Sequence, residues 1–259
     1  MGAESMQQGK ILKTETRGRL FIASLSSPPN RFSLALIEQL NALALELKGR
    51  RDIGAVWLRG EGDNFSHGAD LRDPGLATLV LKDTSSRQEL ARLGQSLIET
   101  WMTLPFPTVI SCQGHVLGAG ACLMAASSFR FATSDTNCGF PEIDLGMTLS
   151  WGILPRLVRE LGPSWTRRLV LAGERVPLSE FGSGFVQIVS DEELDSVARE
   201  FAEQLAQKPQ AAIRHTLESL HALDVEHQSH ALDDADRFAL TAGGDDFKKA
   251  VMRFLGAKK

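Results

Sequence analysis

Residues 114–142 read GHVLGAGACLMAASSFRFATSDTNCGFPE, a glycine-rich turn with a carboxylate, Glu142, at the far end. The small residues Gly118-Ala119-Gly120 let a chain turn sharply from strand to helix and let a ligand approach the backbone closely. The helix that follows aims unpaired N–H groups and the positive end of its dipole at whatever sits in the turn. An oxyanion is stabilised in this way, and a carboxylate facing it is placed to move protons.

Outward from that stretch the chain alternates between extended and helical patterns. Thr108–Cys112 and Phe129–Thr133 read as strands on either side of a helix opening at Gly118, and Ile11–Glu15, Leu20–Leu25 and Ile53–Arg59 read as earlier strands. After a break at Pro28-Pro29-Asn30, residues Leu36, Ile37, Leu40, Leu43, Ala44 and Leu47 recur at helical period within Leu34–Leu47. Thr84–Leu104 reads as a second long helix, stopped by Pro105 and Pro107. From about Pro155 strand signals nearly vanish: Arg156–Leu161, Trp165–Ala172, Glu192–Gln207, Gln210–Leu223 and His227–Thr241 are helical in period, with breaks at Pro209 and Gly243-Gly244. The expectation is an α/β core followed by an all-helical tail that packs on the core or on another subunit.

A chain of 259 residues, 43% hydrophobic and 23% charged, has the composition of a globular protein with one large domain or a domain with an appendage. A net charge of −4 offers no basic field for nucleic acid. Cys112, Cys122 and Cys138 are odd in number and lack metal-type spacing, which fits free thiols in a reducing compartment. The opening MGAESMQQGK has neither a basic n-region nor an apolar h-region, and no uncharged apolar run is long enough to span a bilayer. A cytoplasmic protein without a membrane partner is expected.

A second turn matches the first. Phe65-Ser66-His67-Gly68-Ala69-Asp70-Leu71 follows the strand Ile53–Arg59 and the glycines Gly60 and Gly62. Two N–H donors from separate strand ends can converge on one carbonyl oxygen and stabilise an enolate as it forms.

Taken with Phe140-Pro141-Glu142-Ile143, Leu145-Gly146, Leu171-Ala172-Gly173 and Gly184-Phe185-Val186, the two turns resemble the crotonase (enoyl-CoA hydratase/isomerase) superfamily over nearly the whole chain. The resemblance implies a spiral of ββα units over residues 1–190, with 191–259 as a helical region for trimerisation or as a lid. It further implies a homotrimer or homohexamer, and an acyl-CoA or acyl-carrier thioester whose carbonyl lies between the backbone amides of Ala69 and Ala119. Neither an organic cofactor nor a metal is expected, since CoA is part of the substrate. Ser26–Asn30 match the stretch that lies along adenine and pantetheine. Arg72 matches a phosphate-binding position, and among Lys248, Lys249, Lys258 and Lys259 the tail, Lys258 above all, is a candidate to reach a neighbour's CoA. His67, Gly68, Gly118, Cys122 and Trp151 are expected to line the substrate pocket. His115, after Gly114, is a further candidate beside the thioester, whereas His227 and His230, three apart, lack partners for a metal site.

Residue by residue the match is incomplete. Of two glutamates that face the substrate in the family's hydratases, the second falls on Glu142 and the first on Cys122; Ala119 stands for a glycine, and Ser128 for an aspartate. Syn addition of water uses one group to activate water and another to deliver a proton, and a thiol is a poor water-positioning base. A single buried carboxylate can instead carry a proton from one carbon to another. The expected reaction order is therefore double-bond isomerisation, then hydration, then decarboxylation. A catalytically silent crotonase-fold interaction protein is the alternative of another class.

Overall fold

In the computed structural model, residues 11–225 and 234–256 are described. Strands β1 (Leu12–Arg17), β2 (Leu20–Leu25), β3 (Ala55–Gly60), β4 (Thr108–Cys112), β6 (Phe129–Thr133) and β9 (Gln187–Val189) form one sheet in that spatial order. Only the β1–β2 hairpin is antiparallel; the other neighbours run parallel. A second sheet joins β5 (His115–Leu117), β7 (Asn137–Gly139) and β8 (Val176–Pro177).

The inner parallel strands β2, β3, β4 and β6 are buried on both faces, as such strands require, while the edge strands β1 and β9 are largely exposed. Leu20, Ile22, Ala55, Trp57, Val109 and Phe131 point to one face, where α6 (Leu194–Ala206) covers them with Leu194, Ala198, Ala202 and Ala206. The alternate residues Phe21, Ala23, Leu25, Val56, Leu58, Ile110 and Ala132 point into the main core. That core is closed by α1 (Leu34–Gly49), α2 (Pro74–Lys82), α3 (Thr84–Met102), α4 (Ala119–Ala126) and α5 (Leu154–Val170). After α7 (Gln210–Val225), helix α8 (Asp234–Thr241) packs on α3, and α9 (Asp245–Gly256) reaches back to the 3-10 turn Ile143–Leu145.

Helix α4 is the only described helix with every residue buried. Its last carbonyls would be costly orphans there. Arg130 donates from Nε to Met124 O (3.1 Å) and from Nη2 to Ala125 O (2.8 Å), while Arg156 Nε donates to Ala125 O (2.7 Å). Glu160 bridges the two guanidiniums at 2.7 and 2.8 Å. Cations at the C-terminal end complement the dipole whose other end forms the Gly118 turn. Burial draws Arg130 down to about 10, which leaves it charged at neutral pH.

Two strand expectations need correction. Strands β8 and β9 fall in the segment read as wholly helical; they are two and three residues long, too short to show an alternating pattern. Strands β5 and β7, also three residues each, escape the same way, and helix α2 was hidden between Asp73, whose carboxylate caps it, and Asp83. The two expected helices about Gly162-Pro163 form one element with a break where Gly162 adopts φ 77°. Of the expected helix His227–Thr241, only Asp234–Thr241 lies among the described residues.

Replacing Arg130 by Met should destabilise the protein by about 3–5 kcal/mol in urea unfolding, because buried carbonyls and one side of Glu160 lose their partner. An unchanged midpoint would refute the role assigned to this clamp.

Candidate active site

The two turns are brought together by a short parallel ladder. Ser66 N–H donates to His115 O (2.9 Å) and Leu117 N–H to Ser66 O (3.0 Å), so the Phe65–Ala69 segment runs beside β5. Asn30, fully buried with φ 54°, ties this segment from the other side: its Nδ2 donates to Glu61 O and Asn64 O, and its carbonyl accepts from Ser66 Oγ (2.7 Å). The same Ser66 hydroxyl accepts from Gly68 N–H at 3.0 Å.

These bonds decide which way the amides point. Phe32 N–H donates to Gly68 O and Asp70 N–H to Phe32 O, a parallel bridge that uses both polar groups of Phe32. The Ala69 N–H therefore points away from Phe32 and donates to no backbone carbonyl among the described residues. The N–H of Ala119, the first residue of α4, likewise has no backbone partner among the described residues. The turns touch at their glycines. Gly68 (φ 77°) and Gly118 (φ 50°) are so close that a Cβ on Gly118 would lie 3.8 Å from Gly68 Cα.

Glu142 faces this pair. A Cβ on Gly118 would also stand 2.9 Å from Glu142 Oε1. The Glu142 backbone is pinned by bonds from Leu145 N–H and Met147 N–H to its carbonyl. Its Oε2 is out of reach of solvent and has no hydrogen-bond partner among the described residues. Burial pushes the carboxyl up to about 7. At neutral pH such a group both accepts and returns protons.

Two cavities meet at Ala69, Leu71, Glu142 and Met147. One is apolar, walled by Leu76, Val80, Leu90, Cys122, Trp151 and Phe247, with Ala119 also in its lining and Glu142 the one carboxylate among its described residues. The other contains Arg31, His67, Gly68, Gly118, Asp144 and Arg175. Burial holds the Cys122 thiol well above its usual range, with the Glu142 charge adding to the effect, so it stays protonated. Trp151 packs edge-on against Phe32 with ring centroids 5.9 Å apart. It fits only because α3 has glycine at position 94, where a Cβ would overlap the indole.

The structure thus assembles Glu142, Ala69, Ala119, His67, Gly68, Gly118, Cys122 and Trp151 in one place. It does not bring Ser26 or Arg72 into either cavity; Arg72 instead lies over the Phe254 ring, 5.4 Å from its centroid. Lys258, Lys259, His227 and His230 lie outside the described residues. Ser128 exchanges hydrogen bonds with Thr108, joining β4 to the end of α4. Sequence reading missed Arg31 and Arg175, and it placed Asn30 and Ser66 in motif segments without seeing that their side chains tie the turn together. Arg175 lies next to a two-residue strand with no readable pattern.

Sequence and fold agree on the class. The chain belongs to the enoyl-CoA hydratase/isomerase family, whose profile matches residues 20–259. A probable enoyl-CoA hydratase of Bacillus subtilis (strain 168) is 28% identical over 243 residues, covering 92% of this chain and 93% of the relative. The probable enoyl-CoA hydratase EchA17 of Mycobacterium tuberculosis (strain ATCC 25618 / H37Rv) is 35% identical over 150 residues, 58% of this chain and 56% of that protein. Among solved structures, an enoyl-CoA hydratase/isomerase from Mycobacterium paratuberculosis superposes with a TM-score of 0.86 at 20% identity, covering 94% of this chain and 98% of that one. One from Xanthobacter autotrophicus Py2 gives 0.85 at 24%, with 96% and 94% covered. No described helix is long and apolar enough to cross a membrane.

Two outcomes follow from this geometry. Gly94→Ala should cost about 1–3 kcal/mol and shift tryptophan fluorescence as Trp151 is displaced; an unaltered spectrum and midpoint would contradict the packing. Glu142 holds its proton more tightly folded than unfolded, so the stability it contributes below about 4.5 is lost as pH rises through about 7. Glu142→Gln stays neutral throughout. Its melting temperature should exceed that of the unsubstituted protein by more at pH 8 than at pH 5, and a pH-independent gap would contradict a raised carboxyl.

Proposed function

We propose that this protein isomerises the double bond of an enoyl thioester, with Glu142 as the sole proton carrier and the Ala69 and Ala119 amides as oxyanion donors. The observation that carries the reading is the one carboxyl among the apolar cavity's described residues, poised at about 7 with no described partner for its Oε2, beside a protonated Cys122.

The steps balance without a further reactant. A 3-enoyl thioester lies with its hydrocarbon in the apolar cavity and its carbonyl oxygen at the two amides. The Glu142 carboxylate takes a proton from C2, the C–H electron pair enters the conjugated system, and the negative charge on the thioester oxygen is met by both N–H groups. The protonated Glu142, once its proton has exchanged with solvent, delivers a proton to C4, and the double bond stands at C2–C3. Removing one donor of such a pair typically costs about 100- to 1,000-fold in rate.

Hydration is the second reading. It is favoured by the names of the relatives, several of which are called enoyl-CoA or crotonyl-CoA hydratases. It asks Glu142 alone to activate water and to return a proton, with Cys122 too weak an acid or base to share the work.

Incubation of 2-enoyl, 3-enoyl and carboxyacyl thioesters in D₂O, followed by mass spectrometry, separates these reactions. Isomerisation predicts deuterium at C2 or C4 without the mass of added water, a rate that rises with pH through about 7 as Glu142 ionises, and loss by orders of magnitude in Glu142→Gln. Water addition would establish the second reading, loss of CO₂ would establish decarboxylation, and an inert protein that still binds CoA would support a silent interaction role.

A further inference from the structure

The apolar cavity carries a hydroxyl that proton transfer at Glu142 does not use. Ser150 belongs to its lining and is exposed over only 7% of its surface. The Ser150 carbonyl is turned to α3, where Gln95 Nε2 donates to it at 3.0 Å, which leaves the hydroxyl to the cavity. That hydroxyl has no hydrogen bond among the described residues. Taking a hydroxyl out of water without a partner is costly, so its partner is whatever enters the cavity. Water fits poorly, because a buried water is held by about three hydrogen bonds. Besides Ser150, the side chains of the described lining offer the Glu142 carboxyl, the Trp151 indole N–H and the weak Cys122 thiol among aliphatic and aromatic walls. An oxygen carried in on the acyl chain needs one partner, not three.

Resting on the acyl-thioester reading above, we propose that Ser150 determines specificity by hydrogen-bonding a neutral oxygen, hydroxyl or oxo, on the acyl chain beyond the reacting carbons. The walls select a neutral group. Leu76, Val80, Leu90, Phe238 and Phe247 line the cavity, and no arginine, lysine or histidine is among its described residues. An anion there would meet no counter-charge and would share the space with Glu142. An ammonium would pair with Glu142 and hold it ionised, which removes the group that returns a proton. A serine hydroxyl both donates and accepts, so it serves an alcohol and a ketone alike. Glu142 and Ser150 also hang from different walls. Glu142 Oε1 stands 2.9 Å from the place of a Cβ on Gly118, whereas Ser150 is tied to α3 through Gln95, and Trp151 after it packs on Gly94 of the same helix. This separation places the oxygen past C2 to C4, the carbons that Glu142 serves, at C5 or C6.

The test is calorimetric binding of hexanoyl-CoA, 5-hydroxyhexanoyl-CoA and 6-hydroxyhexanoyl-CoA, none of which has a double bond to move. The full chain is compared with Ser150→Ala, whose folding is checked by circular dichroism. The proposal predicts that one of the hydroxy thioesters binds the unsubstituted protein about three- to tenfold more tightly than hexanoyl-CoA, the weight of one neutral hydrogen bond. Ser150→Ala reverses that order, because the alcohol then enters an apolar wall unpaired. Hexanoyl-CoA binding the unsubstituted protein at least as tightly as both hydroxy thioesters overturns the inference and leaves the acyl-thioester reading standing. A preference for the hydroxy thioester that survives undiminished in Ser150→Ala does the same. Failure of the unsubstituted protein to bind any of the three overturns the acyl-thioester reading itself, together with this inference.

Discussion

The amides of Ala69 and Ala119 belong to chain segments fifty residues apart, and they face a common space because Ser66 and Leu117 are joined by backbone hydrogen bonds. That ladder is short, so its geometry is fixed from outside. Asn30 and the Ser66 hydroxyl hold one side, and the guanidiniums of Arg130 and Arg156 hold the far end of α4. Backbone donors fixed this way need little reorganisation when charge appears on a bound carbonyl. The glycines at 68 and 118 are the condition for it, since both have positive φ and any Cβ there meets the opposing turn or Glu142.

The same compactness sets the electrostatics. Glu142 lies against an apolar wall, and no described donor bonds its Oε2, so the ionised form is penalised and the carboxyl is raised to about 7. Cys122 beside it is buried and stays a neutral thiol. Among its described lining residues the apolar cavity thus has one carboxyl, Glu142, and on the proposed reading that carboxyl is the proton carrier. On the other side of Ala69 the second cavity adds Arg31, His67 and Arg175 to apolar residues such as Leu117, Leu145 and Phe254.

Much of this was legible in the sequence because it resides in glycines, prolines and long periodic runs. The Gly118 turn, α1, α3 and the parallel strands β2 to β4 lie where alternation and helical period place them, and Glu142 and both alanines were singled out through motifs. What stayed hidden has no local signal. Two- and three-residue strands carry no period, and α2 depends on an aspartate cap that resembles any turn. Arg31 and Arg175 are far apart in sequence and share a cavity only because β8 pairs with β7 beside the Gly118 turn. Arg72, singled out by its place in a motif, lies over Phe254 of α9.

The central claim, that two backbone N–H groups polarise a thioester carbonyl beside Glu142, is tested most directly by infrared difference spectroscopy of a bound saturated acyl thioester, unlabelled and ¹³C-labelled at its carbonyl. Hydrogen bonding from Ala69 and Ala119 predicts a labelled C=O band shifted to lower frequency than in free solution and narrowed into one environment. A bound thioester whose carbonyl band stays at its solution frequency would contradict the account.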